Sequence, residues 1–117
     1  MTTPTKIRII TLTNRPPVRI MDADWPLIAK GWDGDNRAIP QQSNREWTIR
    51  VRQHADGRSI VYGIYDTAWQ GEANMAAGEL LAAGDDLVSA IRRVGADIEA
   101  SDRAIRACIA DLPAETI

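Results

Sequence analysis

Two runs of alternating apolar and polar residues, Glu46 to Gln53 and Ser59 to Asp66, flank the dipeptide Asp56-Gly57. A period of two marks a half-buried strand, and Asp-Gly between two such runs suits the positive φ angles of a tight two-residue hairpin turn. That turn sets Val51 opposite Tyr62, Ile49 opposite Ile64 and Gln53 opposite Ile60. Trp47, Ile49, Val51, Ile60, Tyr62 and Ile64 then share a core face. The reverse face carries Thr48, Arg50, Arg52, His54, Ser59, Val61, Gly63 and Tyr65.

Upstream, Lys6 to Thr13 is rich in β-branched residues and runs into Asn14-Arg15-Pro16-Pro17. This predicts a strand ended by a proline-fixed turn, with a second short strand at Val18 to Met21. Asp24 can cap a short helix with Trp25 and Pro26 in its first turn and Gly31 as its stop. The stretch from Asp33 to Asn44 is polar and full of turn formers, and reads as an exposed, mobile loop. Thr67 to Gly84 lacks sustained periodicity, and its alanines suggest a short helix around Met75 to Leu81.

From Asp85 onward the period changes. Leu87, Ile91, Val94 and Ile98 fall at spacings of four, three and four, one stripe of an amphipathic helix whose positive end suits Asp85 and Asp86. A second stripe, Ile105, Cys108, Ile109 and Leu112, follows Ser101 as N-cap and stops at Pro113. The stripes are nearly in phase, so one long helix from 85 to 112 is the alternative to the two preferred here. The expected class is α+β: a small antiparallel sheet, made of the 46–66 hairpin plus the N-terminal strand, covered on one face by C-terminal helices.

A chain of 117 residues fits one domain spanning 1–117. Leu, Ile, Val and Phe together number only 25, so the core is lean and the four Trp supply part of its volume. A core this small implies modest stability, or a homodimer that covers what one copy leaves exposed. The single cysteine and single histidine exclude an internal disulfide and the usual zinc ligand sets. The N-terminus has no signal-peptide pattern and no run reaches membrane-spanning length, so the expected compartment is the cytoplasm. Charge is uneven. Residues 1–66 carry ten Lys or Arg against seven Asp or Glu, a net of +3, and residues 67–117 carry four against nine, a net of −5.

Little in the chain points to catalysis. His54 would have to be the proton acceptor, but it belongs to a hairpin tip, whereas Cys108 sits in an apolar helix stripe and reads as a small buried hydrophobe. Asp33-Gly34-Asp35-Asn36 begins like a calcium loop, yet Arg37 stands at the third ligand position and Asn44 where the closing glutamate belongs. No phosphate loop, nucleophile elbow or dinucleotide fingerprint is present. The expectation is a protein that is not an enzyme and takes no metal or cofactor.

Two binding chemistries remain. Arg50, Arg52 and His54 at two-residue spacing, with Tyr65 beside them and Arg58, Arg15 and Arg19 nearby, could track phosphates while the tyrosine stacks a base. Against nucleic acid stands the low density of cations in an acidic chain. Trp25, Trp32 and Trp69 lie in short polar segments, and exposed Trp with Arg is what protein interfaces concentrate. The leading expectation is a protein partner, with nucleic acid as the alternative. The contact surface would combine the reverse face of the hairpin with the Asp33–Asn44 loop, through Arg50, Arg52, His54, Arg58, Tyr65, Trp32, Asp33 and Asp35.

Arg15-Pro16-Pro17-Val18-Arg19-Ile20, Asp24-Trp25-Pro26, Val51-Arg52-Gln53-His54-Ala55-Asp56-Gly57-Arg58, Ala77-Gly78-Glu79-Leu80-Leu81 and Ala90-Ile91-Arg92-Arg93-Val94-Gly95 resemble segments of small proteins carried on bacterial plasmids and integrated mobile elements. The similarity spans residues 7 to 98 and brings no activity with it. It implies an accessory regulator, or an inhibitor of a host defence system resembling anti-CRISPR proteins in size.

Overall fold

The computed structural model describes residues 6–35, 45–69 and 71–114. Strands β1 (Ile7–Leu12) and β2 (Arg15–Met21) pair as an antiparallel ribbon, and a 3-10 turn at Asp22–Asp24 leads on from it. Strands β3 (Leu27–Asp35), β4 (Arg45–Gln53), β5 (Ser59–Thr67) and β6 (Met75–Leu81) form a second antiparallel sheet in that order. Helices α1 (Leu87–Asp97) and α2 (Asp102–Asp111) close the chain. Three layers result: helices, four-stranded sheet and ribbon. The class is α+β, with the C-terminal helices on one face of the sheet as expected, while the N-terminal strand pairs with β2 and crosses the outer face.

Both helices form where the stripes placed them. Asp86 caps α1 by accepting from the Ser89 amide, Ser101 caps α2 by accepting from the Ala104 amide, and residues 98–101 separate the two. Ile91, Val94, Ile98 and Cys108 reach full burial against Ile49, Val51 and Val61.

The hairpin departs from its expected register by one residue. His54 and Arg58 close it, the His54 amide donating to the Arg58 carbonyl at 2.9 Å, so the loop has the three residues Ala55, Asp56 and Gly57. Gly57 takes the left-handed conformation, φ +94°, that the last position of a three-residue hairpin loop requires. Val51 therefore pairs with Val61, Ile49 with Gly63 and Gln53 with Ser59. Trp47, Ile49 and Val51 still face the helices, but every residue of β5 changes sides. Val61, Gly63 and Tyr65 turn inward, and Ile60, Tyr62 and Ile64 join Arg50 and Arg52 outside.

The helix expected to run from Asp24 to a stop at Gly31 and the one expected around Met75 to Leu81 give way to strands, β3 and β6. The 27–35 segment alternates Ala29, Gly31 and Asp33 against Lys30 and Trp32, and its small inward residues let α2 lie close. The 75–81 segment, despite its alanines, completes the hydrogen bonding of β5, and tertiary pairing overrides local preference there. Asp24 ends the 3-10 turn instead of capping a helix, and Asp33 to Asp35 belong to β3 and not to a loop. The rest of that expected loop, 36–44, lies outside the described residues.

Both edges of the four-stranded sheet are blunted. On β3 the outward amide of Lys30 is held by the Asp111 carboxylate at 2.8 Å and that of Gly34 by Asp33 at 2.9 Å. On β6 the Gly78 carbonyl accepts from the Thr13 amide at 2.8 Å and its amide donates to the Thr13 hydroxyl at 3.2 Å. Capped edge groups oppose strand addition by another chain.

Two predictions follow from this packing. A Cβ at Gly31 would stand 2.3 Å from the Ala104 carbonyl oxygen and 2.5 Å from the Cys108 amide, both backbone atoms, so α2 must move. Gly31→Ala is expected to destabilise by about 2 kcal/mol or more in urea unfolding, and an unchanged midpoint would contradict the contact. Asp111→Ala frees the Lys30 amide. Its expected signature is a loss of about 1 kcal/mol together with faster concentration-dependent aggregation, read by light scattering.

Candidate functional site

The outer face of the sheet is divided by the ribbon. Ile10, Leu12 and Ile20 of the ribbon, with Trp25, pack on Ile60, Tyr62 and Leu80, making a second small core. Beneath that cover lies Arg52, only 5% exposed. Its guanidinium donates to the Tyr62 hydroxyl at 2.9 Å, to Asp22 at 2.9 Å and to the Trp25 carbonyl at 3.0 Å. Asp22 also takes a hydrogen bond from Arg8, which with Arg52 nearby holds its carboxyl below the ordinary range. A buried charge persists only when paired in this way, so Arg52 clamps ribbon to sheet and is not a surface cation.

Beyond the ribbon, part of the outer face is open. Trp32, Thr48, Ile64 and Ala76 lie side by side across the four strands, with Trp32 44% and Ile64 36% exposed. Lys30 and Arg50 pair in the neighbouring row on the ribbon side, and Glu46 and Asp66 pair in the row beyond. Ile9, 69% exposed at the ribbon's flank, shares a narrow groove of about 80 Å³ with Ile64 and Ala76. Together these residues make a shelf: an apolar floor, a ribbon wall and cations in the corner.

The expected site residues scatter. Arg50 and Trp32 lie on the shelf, and Arg52 is buried behind its wall. His54 and Arg58 stand at the hairpin tip against Trp25, the imidazole 5.0 Å from the indole ring and the guanidinium 5.2 Å from it. His54 Nδ1 accepts from the Asp56 amide, and Arg58 pairs with Asp56 at 2.8 Å. Tyr65 faces the helices, stacked on Trp47 with ring centroids 5.3 Å apart. Asp33 also faces the helices and accepts from the Ser101 hydroxyl at 2.7 Å, tying β3 to the start of α2. Asp35 ends β3, its backbone opposite Arg45 of β4 in the ladder.

Lys30, Ile9 and Ile64 were missed because their exposure depends on register and on where the ribbon docks. A three-residue reading of the hairpin loop was the available signal for Ile64. Also unforeseen is the Glu72 carboxylate, which accepts from Arg45 Nε and Nη2, the Tyr65 hydroxyl and the Thr67 hydroxyl. Arg45 in turn lies over Trp69, 5.3 Å from the ring. These donors pull the Glu72 pKa down to about 2.

Cys108 is fully buried, and desolvation pushes its thiol up to about 12. It lies on the buried face of α2, on the opposite side of the sheet from the Trp25–His54 contact. Among the described residues no three His, Cys, Asp or Glu side chains converge as metal ligands, and no helix is long and apolar enough to cross a membrane. A cavity of about 580 Å³ between the start of α1 and the end of α2 has Gln53 and Ser59 in its wall with Asp85 and Asp86 also lining it. Comparison with protein-family models, curated proteins and solved structures finds no match for this chain.

The Glu72 cluster yields a pH prediction. A carboxyl whose folded pKa lies below its unfolded value stabilises the fold above the unfolded value, and that contribution is lost as pH falls toward the folded one. For Glu72 the window runs from its ordinary value of 4.5 down to about 2. Glu72→Gln should lower the thermal midpoint at neutral pH and flatten its decline through this acid window. Parallel wild-type and variant curves would show that the cluster does not contribute.

Proposed function

We propose that this chain is a non-catalytic binding protein that acts through protein–protein contacts made by the shelf on its outer sheet face. The observation that carries the reading is Trp32, an exposed indole on an edge strand, in line with Ile64 and next to Lys30 and Arg50. A large amphipathic ring beside a guanidinium is the combination that interface centres favour, and its exposure is a standing cost unless something covers it. The capped edges of β3 and β6 support a partner held by side chains on the face over one added as a strand. In the setting implied by the sequence resemblance, such a protein would serve a mobile element as an accessory regulator or as an inhibitor of a host defence system.

A nucleic-acid reading keeps one observation in its favour. Among the described residues, the cations without a carboxylate partner are Arg15, Arg19, Lys30, Arg50 and Arg92, and all but Arg92 belong to the ribbon or the outer sheet face. Against it, Arg52 is occupied internally and Glu46 and Asp66 border the shelf, where a continuous phosphate chain would meet them.

Affinity capture from bacterial extract, with and without nuclease treatment, separates the two. Wild-type protein and an Arg92→Ala, Arg106→Ala control on the helix side should retain the same binding protein, and a Trp32→Ala, Ile64→Ser variant with unchanged thermal midpoint should lose most of it. Equal recovery by all three would remove the shelf from consideration. Capture that disappears only on nuclease treatment would favour the nucleic-acid reading.

A further inference from the structure

Resting on the protein-binding reading, we infer that the shelf receives an amphipathic helical segment of a partner protein whose carboxylates flank its apolar stripe. The floor fixes the length. Four strands at the usual spacing set Trp32 and Ala76 about 14 Å apart, which an α-helix crosses in about ten residues. The wall fixes the thickness: the ribbon packs face to face on β5 and β6, and a packed β-layer stands about 10 Å above its neighbour, close to the diameter of a helix. A helix lying along the Trp32–Ala76 row would set one apolar stripe on Trp32 and Ile64 and turn it toward Ile9 on the wall.

Charge selects the sign of the occupant. Lys30 and Arg50 stand in the corner between floor and wall. Neither has a carboxylate partner among the described residues. Glu46 and Asp66 occupy only the open border, so carboxylates on the wall side of the helix meet cations while the border repels a uniformly anionic ligand. A discrete pattern of acidic and apolar side chains therefore fits better than a phosphate backbone or a lipid headgroup layer.

The test uses the full chain and fluorescein-labelled peptides of about 18 residues, long enough to hold a helix, with Leu at helical spacing and Glu elsewhere, against the same design with Lys for Glu. Fluorescence anisotropy should show the Leu/Glu peptide binding at least roughly tenfold more tightly than the Leu/Lys peptide. Lys30→Glu with Arg50→Glu should reverse that order, and Trp32→Ala should weaken both peptides. Arg92→Glu, on the helix side, should change neither. Equal affinity for the two peptides, or preservation of the order in the charge-reversed variant, would overturn the inference. So would tighter binding to a single-stranded oligonucleotide or to phosphatidylserine vesicles than to the Leu/Glu peptide, or sedimentation showing that a second copy already covers Trp32. Failure here, with capture from extract still lost in the Trp32→Ala, Ile64→Ser variant, would leave the protein-binding reading intact and remove only the acidic helix. Loss of both results would remove the shelf itself.

Discussion

The left-handed backbone at Gly57 decides which side of the sheet every residue of β5 occupies. A hairpin loop of two residues and one of three differ by a single step in register, and in a strand a single step exchanges the two faces. Because Gly57 closes a three-residue loop, Val61, Gly63 and Tyr65 lie under the helices while Tyr62 comes to Arg52 on the outside. Gly63 shows how closely this is matched. A Cβ there would stand 2.8 Å from Ile98 Cδ1 and 3.0 Å from Val94 Cγ1, so a side chain at this inward position would displace the ends of both.

From that register comes the third layer. With Ile60 and Tyr62 outside, the sheet has a second apolar face, and a chain with so few large aliphatic residues cannot leave it bare. The ribbon supplies Ile10, Leu12 and Ile20 to cover it, and the Arg52–Asp22–Arg8 cluster sets where it docks. The same docking brings Thr13 to Gly78, so one contact protects both the outer core and the β6 edge. Core formation and protection against edge pairing are linked here through a two-stranded element that is too small to be stable alone.

How far the residues announce this fold depends on whether each element carries its own register. The helices do: a 3.6-residue stripe with Asp86 and Ser101 at the starts is complete within its own segment, and both helices lie where the stripes and caps indicate. Strand β4 does as well, since its alternation alone turns Trp47, Ile49 and Val51 inward. Strands β3 and β6 do not, because Leu27 to Lys30 and Met75 to Leu81 are short runs whose preference is decided by the neighbour they pair with. The surface divides in the same way. Trp32 and Arg50 are legible as exposed polar-segment and outward-strand residues, whereas Arg52, Tyr65, Ile64 and Ile9 take their exposure from a loop length and a docking event remote from them in sequence.

Arg50 and Arg52 make the division between structure and surface concrete. They are two residues apart on one strand, on one face, with the same side chain, and local sequence treats them alike. Arg52 lies where the ribbon crosses, loses its water and recovers the loss through Tyr62, Asp22 and the Trp25 carbonyl. Arg50 lies one row nearer the open side, keeps water within reach and has no carboxylate of its own among the described residues. The boundary between a structural cation and an available one is therefore the margin of the ribbon, and that margin also exposes Ile9 and Ile64 to the same groove. A ribbon extended by one more row would bury Arg50 and Ile64 and leave the shelf without its corner, so the ribbon's reach sets both how much core the sheet gains and how much surface it keeps for a partner.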